Sequence, residues 1–302
     1  MGLSKGKEHT TDVSMDGRVC IVTGANSGVG FEAALRLAQG NAHLVMVCRN
    51  RQRGEEAKAK IEASVKGPVD LLLADLSSLA EVRRLGKELL DRYPKIHILV
   101  NNAGMHSTRR TVTVDGFETT FAINHLAPFL LTHLLLERLK ASAPARIVNV
   151  NSKGHRFGGL NLHDLHWEKR HYFGIRAYGA SKTANLMFTR ELADKLKGTR
   201  VTINAMHPGE VKSRMGSNNG WLWRKVYKAL LVDPLLKPAS ISGDAIYYLA
   251  ASPELDGVSG KYFNLTQLEK PFPHALNRSV GHIVWLLSEQ FTGLVTRDTS
   301  LT

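Results

Sequence analysis

Short apolar runs alternate with longer amphipathic stretches along most of the chain. Most of the runs are continuous stretches of Val, Ile and Leu, as in strands that helices cover on both faces. The stretches between them repeat apolar residues at helical spacing, as at Phe31, Ala34 and Ala38. This alternation predicts repeated strand–helix units and hence a parallel sheet. The predicted strands span residues 18–23, 43–48, 69–74, 96–101, 145–151, 200–205 and 261–263.

The predicted fold class is α/β: a single doubly wound Rossmann domain of about seven parallel strands with helices on both faces. The domain is expected over residues 16–290, between a flexible N-terminal tail at 1–15 and a C-terminal tail at 291–302. Two segments fit the alternation poorly, 153–175 and 210–238. Because ligands of such sheets bind beyond the carboxyl ends of the strands, we expect both segments to line a substrate site, with 210–238 as the substrate loop.

A glycine-rich turn, TGANSGVG, follows the first predicted strand and opens a helix. Gly24 permits the tight turn, Gly28 lets the backbone approach a pyrophosphate, and Gly30 allows close packing of helix on strand. The helix N-terminus adds free N–H groups and a favourable dipole for the anion. The turn therefore predicts a dinucleotide-phosphate site made by Gly24, Asn26, Ser27, Gly28, Val29 and Gly30.

The end of the second predicted strand bears on the choice of cofactor. Many dinucleotide-binding folds carry an acidic residue there, which binds the ribose 2′-hydroxyl. This chain has Cys48-Arg49-Asn50 instead. A guanidinium can pair with a 2′-phosphate, and no carboxylate stands by to repel it, so Arg49 and Asn50 predict NADP(H). The alternative is that Arg49 is a solvated charge beside other arginines.

Tyr178 and Lys182 lie four residues apart in YGASK, on a predicted helix. That spacing places a phenol and an ammonium on one helix face, with Cβ atoms roughly 5–6 Å apart. A nearby cation favours the phenolate, which would bring a tyrosine pKa down from about 10 toward neutral pH. Taken alone, such a pair on a helix is more often structural than catalytic.

The order of these motifs resembles the short-chain dehydrogenase/reductase family. The resemblance covers about residues 16–290, and the segments CRNRQRGEEA, NLHDLHWE and SPELDGVSGKYF resemble the retinol-dehydrogenase-like branch of that family. One departure is Asn151, where the family usually has a serine before the catalytic one. The motifs that carry the resemblance are TGANSGVG, NNAG at 101–104, Asn124, Ser152, Tyr178 with Lys182, and HPG at 207–209.

The resemblance implies a role for each of these residues. Tyr178 would be the general acid and base, and Lys182 would lower its pKa and hold the nicotinamide ribose. Ser152 would hydrogen-bond the substrate oxygen, and Asn124 would hold a water that links Lys182 to solvent. Ser213 stands where the family more often has threonine, which can make the same hydrogen bond. The further cofactor contacts implied are Asp75, Leu76, Asn102, Ala103, Gly104, Pro208, Gly209, Val211 and Ser213.

Composition and charge exclude several other classes of protein. The chain has 302 residues, of which 43% are hydrophobic and 22% charged, as in ordinary globular proteins. Its net charge of +13 is spread out, with local basic excesses at 49–66 and 210–240. Neither stretch resembles a nucleic-acid recognition element, so we expect no nucleic-acid partner. We also predict no metal site, because no cysteine and no matched ligand spacing accompany His163, Asp164, His166 and His171.

Two stretches concern membranes. The longest nearly apolar run, 126–136, is shorter than the roughly 20 residues of a membrane span, and the first 18 residues hold no apolar stretch of a secretory signal. We therefore expect a cytoplasmic protein. Residues 221–231 mix tryptophan, tyrosine and basic residues, as interfacial helices do. They predict either a lid in peripheral contact with a membrane or a helix packed on its own domain.

Together the motifs predict an NADP(H)-dependent oxidoreductase that interconverts an alcohol and its aldehyde or ketone. The expected substrate is small and lipophilic, with retinal, retinol or a long-chain aldehyde first. A carbonyl reductase of steroid or xenobiotic ketones stays open, as does a non-catalytic regulator that binds NADP(H). Homo-oligomerisation stays open as well.

Overall fold

The central sheet sets the architecture of the protein. The structure, a computed structural model, describes residues 8–211 and 238–294. Within these residues the strand order is β3-β2-β1-β4-β5-β6-β7-β8, with β1 to β7 parallel and β8 antiparallel to β7. The strands are β1 Val19–Thr23, β2 His43–Cys48, β3 Val69–Leu73, β4 Ile98–Asn101, β5 Ala145–Val150, β6 Val201–His207, β7 Tyr262–Asn264 and β8 Gln267–Leu268.

Helices cover both faces of this sheet. Side chains of α1, α2 and α7 form one hydrophobic core with the sheet, and those of α3, α5, α6 and α8 form another on the opposite face. A short helix, α4, leads through a π-helical turn, Ala122–Leu126, into α5. The bounds are α1 Gly28–Gln39, α2 Arg51–Glu62, α3 Leu79–Arg92, α4 Thr119–Phe121, α5 Ala127–Ala141, α6 Gly174–Lys195, α7 Ser240–Ala251 and α8 Arg278–Thr292.

The predicted doubly wound α/β fold is confirmed, and all seven predicted strands are present within a few residues of their predicted ends. The eighth strand was not predicted. It spans only Gln267–Leu268 and is reached by a tight turn in which Leu265 has a positive φ of 54°. Two residues are too few for a hydrophobic pattern to reveal a strand.

Residues within the predicted N-terminal tail contact the domain. Met15 is buried, and its N–H donates to the Gly40 carbonyl at 2.7 Å. The Val13 carbonyl accepts a hydrogen bond from the Tyr247 hydroxyl on α7 at 2.5 Å. At the other end, α8 runs to Thr292, two residues past the predicted domain boundary at 290.

One continuous helical segment, Thr119–Ala141, is long and apolar enough to cross a membrane by length and composition, and it is the single such segment among the described residues. Its most apolar window is 72% buried inside the protein. Phe129, Leu130 and Leu135 of α5 belong to the core between the sheet and the helices α3 and α6. Packing within the domain therefore accounts for its apolar character.

Candidate active site

The predicted site residues converge because they follow strands that run in parallel. The carboxyl ends of parallel strands meet at one edge of the sheet, and a crevice opens there where the strand order reverses, between β1 and β4. The glycine-rich turn follows β1, and the NNAG segment follows β4. The residues that follow the other strands at this edge are Arg49 after β2, Asp75 after β3, Ser152 after β5 and Pro208 after β6.

The glycine-rich turn has the geometry of a phosphate cradle. Gly24 and Gly28 have positive φ values of 67° and 55°, which residues with a Cβ rarely adopt. A Cβ on Gly30 would lie 2.3 Å from both the Asn102 amide nitrogen and the Gly24 carbonyl oxygen, so α1 can approach the turn only with glycine there. Ser27 precedes α1 without a capping hydrogen bond from its side chain; Asn26 stands before it in the turn, and Val29 lies in the first turn of α1. The first N–H groups of α1 are thus available to an anion.

Asn102 and Thr23 join the two halves of this crevice. The Asn102 amide donates to the Thr23 carbonyl at 2.8 Å and to the Gly24 carbonyl at 3.3 Å. In return, the Thr23 hydroxyl accepts the N–H groups of Asn102 and Ala103, both at 3.0 Å. The loop after β4, with Ala103 and Gly104, is therefore fixed against the turn after β1. These residues form one rigid wall of the crevice between β1 and β4.

Some of the residues that follow β2 and β3 form hydrogen bonds with neighbours in the chain. Arg49 is exposed. The Asn50 side chain accepts the Arg53 N–H at 2.9 Å and so caps α2, a local role that sequence reasoning did not assign to it. The Asp75 carboxylate accepts the N–H and the hydroxyl of Ser77 at 2.9 and 2.8 Å. Leu76 next to it lines a crevice together with Ala103.

Tyr178 and Lys182 occupy the N-terminal half of α6, where both are buried. The Lys182 ammonium lies 5.7 Å from the centroid of the Tyr178 ring and donates to the Val150 carbonyl at 2.9 Å. Burial lowers the pKa of Lys182 to about 8. A Cβ on Gly154 would lie 2.6 Å from the Tyr178 ring, so this glycine admits the phenol against the turn after β5.

Ser152 begins the 3₁₀ turn Lys153–Phe157 directly after β5. Its hydroxyl accepts the Gly154 N–H at 3.0 Å, and its N–H donates to the Asn151 side chain at 2.7 Å. Because a hydroxyl that accepts one hydrogen bond can still donate another, Ser152 keeps a donor for a substrate oxygen. The Asn151 amide bonds to the Lys182 carbonyl at 3.0 Å, which ties the serine loop to α6.

Asn124 lies in the π-helical turn between α4 and α5 and is 2% exposed. Its side-chain oxygen accepts the Met105 N–H at 2.8 Å, and its amide donates to the Met105 carbonyl and the Ser181 hydroxyl at 2.9 and 3.0 Å. Such turns leave main-chain carbonyls outside the regular helical ladder and are frequent at functional sites. Asn124 is thus held firmly next to the loop that carries Gly104, where a Cβ would lie 3.2 Å from its oxygen.

The segment after β6 completes the described part of the site. Gly209 has a positive φ of 85°, and the Pro208 carbonyl accepts the Ser242 hydroxyl of α7 at 2.6 Å. Val211 packs at the edge of the core. Ser213 and the segment 221–231, both singled out in the sequence, lie outside the described residues.

Two histidines of the site escaped sequence reasoning. The His106 ring packs edge-on against Tyr178, with centroids 5.7 Å apart. The His155 ring is fully buried directly behind Ser152. Neither histidine belongs to a spacing pattern that would mark it in the sequence. His207, by contrast, is part of the HPG motif at 207–209; its ring is buried, and neither ring nitrogen has a hydrogen-bond partner within the described residues.

Fold and site together define an α/β oxidoreductase of the dinucleotide-binding type. The uncapped first turn of α1, the glycines that admit a close ligand and the rigid wall at Asn102 fit a nicotinamide dinucleotide. The chain matches the family described as short chain dehydrogenase over residues 18–220. It belongs to the short-chain dehydrogenase/reductase family, whose members bind a nicotinamide cofactor, and to the retinol-dehydrogenase-like branch of that family.

Several relatives support this assignment. Retinol dehydrogenase 12 of Mus musculus is 42% identical over 289 residues, which cover 94% of this chain and 89% of that protein. Retinol dehydrogenase 14 of Homo sapiens is 41% identical over 303 residues, covering 93% and 88%. The predicted family and enzyme class are thereby confirmed: the protein is an oxidoreductase acting on CH–OH groups.

Solved structures share the fold. An uncharacterized protein from Mycobacterium paratuberculosis superposes with a TM-score of 0.74 at 30% identity, covering 95% of this chain and 98% of that one. The RhlG/NADP active-site complex of Pseudomonas aeruginosa superposes with a TM-score of 0.66 at 26% identity, covering 85% and 96%.

Proposed function

We propose that the protein is an NADP(H)-dependent enzyme that interconverts a small lipophilic alcohol and its aldehyde or ketone. The observation that carries this proposal is the convergence of Tyr178, Lys182, Ser152 and Asn124 beside the glycine-rich turn. NADPH, when bound, supplies the hydride. The chain's own residues must then bind the carbonyl compound, orient it and exchange a proton with its oxygen.

Tyr178 gives its phenolic proton to the carbonyl oxygen during reduction and takes it back during oxidation. The Lys182 ammonium, 5.7 Å from the ring, favours the phenolate that this exchange leaves behind. The Ser152 hydroxyl donates to the same substrate oxygen and stabilises the charge that develops on it. Since both Tyr178 and Lys182 are almost fully buried, little water competes with these interactions.

The proton that Tyr178 gives up must return from solvent. We assign this task to a water held by Asn124, which links Lys182 to the outside. The side-chain oxygen of Asn124 already accepts the Met105 N–H at 2.8 Å. Its main-chain carbonyl in the π-helical turn accepts the Asn185 amide at 3.3 Å and has a second lone pair, with which it can accept that water. Gly104 leaves the space between Asn124 and Lys182 open, since a Cβ there would lie 3.2 Å from the Asn124 side-chain oxygen and 3.6 Å from the Lys182 nitrogen.

Arg49 selects NADP(H) over NAD(H) in this proposal. It is exposed at the carboxyl end of β2, the strand next to β1, and so stands beside the expected adenosine ribose. Its guanidinium can bind a 2′-phosphate through two parallel hydrogen bonds. Asn50 supports this indirectly by capping α2, which fixes the start of the helix that follows Arg49.

A lipophilic substrate is supported by two observations. The two relatives described above are named retinol dehydrogenases. In addition, the segment after Ser152 exposes Phe157, and the residue before α6 is the half-exposed Phe173. Phe157 ends the turn that Ser152 begins, and Phe173 precedes the helix that carries Tyr178, so both place exposed apolar surface on the elements that hold these two residues.

The test is cofactor oxidation by the purified protein with NADPH or NADH and a panel of all-trans-retinal, medium-chain aldehydes, ketosteroids and quinones. We expect turnover with NADPH and a lipophilic aldehyde. Tyr178→Phe should lower kcat by about 10²- to 10⁴-fold while NADPH still binds, because only the transferable proton is lost.

Tyr93→Phe is the matched control, because Tyr93 donates to Asp70 near the amino end of β3, away from the carboxyl ends of the strands, and should leave kcat unchanged. Full activity in Tyr178→Phe would contradict the proposed role of Tyr178. Preference for NADH would contradict the role of Arg49. Binding of NADPH without turnover of any compound would favour a cofactor-binding regulator, and turnover of ketosteroids alone would favour a steroid reductase.

A further inference from the structure

His155 connects the proposed catalytic serine to a distant part of the chain. It lies in the 3₁₀ turn Lys153–Phe157 and is 0% exposed. Its Nδ1 lies 2.8 Å from the main-chain carbonyl oxygen of Ser152. Its Nε2 lies 3.1 Å from the main-chain nitrogen of Phe272, which is more than a hundred residues away in sequence. The ring also packs edge-on against Tyr262 of β7, with centroids 5.2 Å apart.

These two bonds fix which ring nitrogen carries the proton. A backbone N–H can only donate, so Nε2 must be the acceptor for Phe272. A carbonyl can only accept, so Nδ1 must carry the hydrogen and donate it to Ser152. Burial lowers the pKa of His155, which agrees with a neutral ring. The imidazole is therefore held as one tautomer in one orientation.

The backbone of His155 is fixed as well. Its carbonyl oxygen accepts the His274 Nε2 hydrogen at 2.8 Å. The Thr183 hydroxyl, which donates to the Gly158 carbonyl at 2.7 Å, lies 3.2 Å from the same oxygen. Thr183 directly follows Lys182 on α6. His155 therefore contacts the loop of Ser152, the helix that carries Tyr178 and Lys182, and the segment around Phe272. Neither nitrogen of its ring is left for a ligand.

We propose that His155 is a positioning residue that, by binding the Ser152 carbonyl and the Phe272 N–H at once, fixes the direction of the Ser152 hydroxyl toward the substrate oxygen. The inference rests on the proposed function, since it assumes that Ser152 donates to the substrate. A displacement of about 1 Å in such a donor can cost about 100-fold in rate. The ring contributes no atom to the reaction itself.

Two amide variants separate the effects of the two hydrogen bonds that the His155 ring makes. His155→Asn places an amide nitrogen near the position of Nδ1, so it retains a donor for Ser152 and loses the bond to Phe272. His155→Gln places an amide oxygen near Nε2, so it retains the acceptor for Phe272 and loses the side-chain donor for Ser152, whose carbonyl then keeps only the main-chain N–H of residue 155, at 3.2 Å. His133 provides the control, because its Nδ1 also bonds to a main-chain carbonyl, that of Phe129, in α5.

We expect His155→Gln to lower kcat by about 10-fold or more, and His155→Asn to stay within about 3-fold of the original enzyme. NADPH affinity should change little in both, and His133→Asn should leave kcat unchanged. Equal losses in the two His155 variants, or losses that follow the fall in melting temperature, would show a merely structural role. A readout without cofactor is the ¹⁵N NMR spectrum of the imidazole, which should show the Nδ1–H tautomer.

A double-mutant cycle with Ser152→Ala completes the test. If His155 acts through the serine hydroxyl, His155→Gln should cost less than about 2-fold once that hydroxyl is gone. An undiminished cost in the Ser152→Ala background would overturn the positioning role while leaving the proposed function intact. Full activity of Ser152→Ala alone would instead contradict the proposed role of Ser152.

Discussion

The buried Lys182 ammonium should destabilise the fold that it serves. The residue is 2% exposed, and its one described side-chain hydrogen bond goes to the Val150 carbonyl at 2.9 Å. Burial lowers its pKa to about 8. A methionine has a similar length and shape but no charge, so Lys182→Met removes the ammonium and leaves the packing largely in place.

The size of the effect follows from proton linkage. An unfolded lysine has a pKa of about 10.4, so at about pH 7 the buried charge costs about 3 kcal/mol of folding free energy. Lys182→Met also removes the hydrogen bond to the Val150 carbonyl, which reduces the gain in stability by about 1 kcal/mol. Lys182→Met should therefore raise the free energy of unfolding by about 2 kcal/mol at about pH 7. It should also lower kcat by about 100-fold or more, because the charge that supports Tyr178 is gone.

The pH dependence checks the sign of this argument. Between the folded and unfolded pKa values of Lys182 the unfolded chain binds more protons, so the stability of the original protein rises with pH there. At about pH 9.5 the cost of the charge has fallen to about 1 kcal/mol, and the advantage of Lys182→Met should have nearly vanished.

Urea unfolding of the cofactor-free proteins at about pH 7 and about pH 9.5 measures the difference in unfolding free energy between Lys182→Met and the original protein. Lys87→Met, at an exposed lysine paired with Asp91, is the control and should show no such trend. A Lys182→Met protein that is less stable than the original at about pH 7, or equally more stable at both pH values, would refute the reasoning.

Two further predictions concern the cofactor site. Arg49→Ala should weaken NADPH binding by about 10- to 100-fold and leave NADH binding almost unchanged, because only the 2′-phosphate loses a partner; fluorescence titration with both cofactors measures this, and equal losses for the two would contradict it. Gly30→Ala should lower NADPH affinity by about 10-fold or more and also the melting temperature, because its Cβ would lie 2.3 Å from the Gly24 carbonyl and push α1 away. Gly67→Ala, whose Cβ would meet its nearest neighbour at 3.4 Å, should change neither, and tight NADPH binding by Gly30→Ala would contradict the cradle geometry.

Local order along the chain made much of the fold predictable. Strands covered on both faces need continuous apolar runs, and the run at 43–48 became β2 without a change of bounds. The helix after Gly28 was visible from its spacing, since Ala34 and Ala38 are both buried in α1. The glycine-rich turn was legible for the same reason: its conformation depends on residues that are neighbours in sequence. Tyr178 and Lys182 are likewise neighbours on one helix face, so their pairing needed no tertiary information.

The sequence by itself thus determined the doubly wound fold, the edge of the sheet that carries the site and most of the residues that gather there. Only the tertiary structure decided how those residues are held. The burial that lowers the Lys182 pKa, the bonds that immobilise Asn124 and the link from Ser152 through His155 to Phe272 all join elements far apart in sequence. Periodicity and spacing report the contacts a segment makes with itself, whereas these contacts exist only once the helices pack on the sheet.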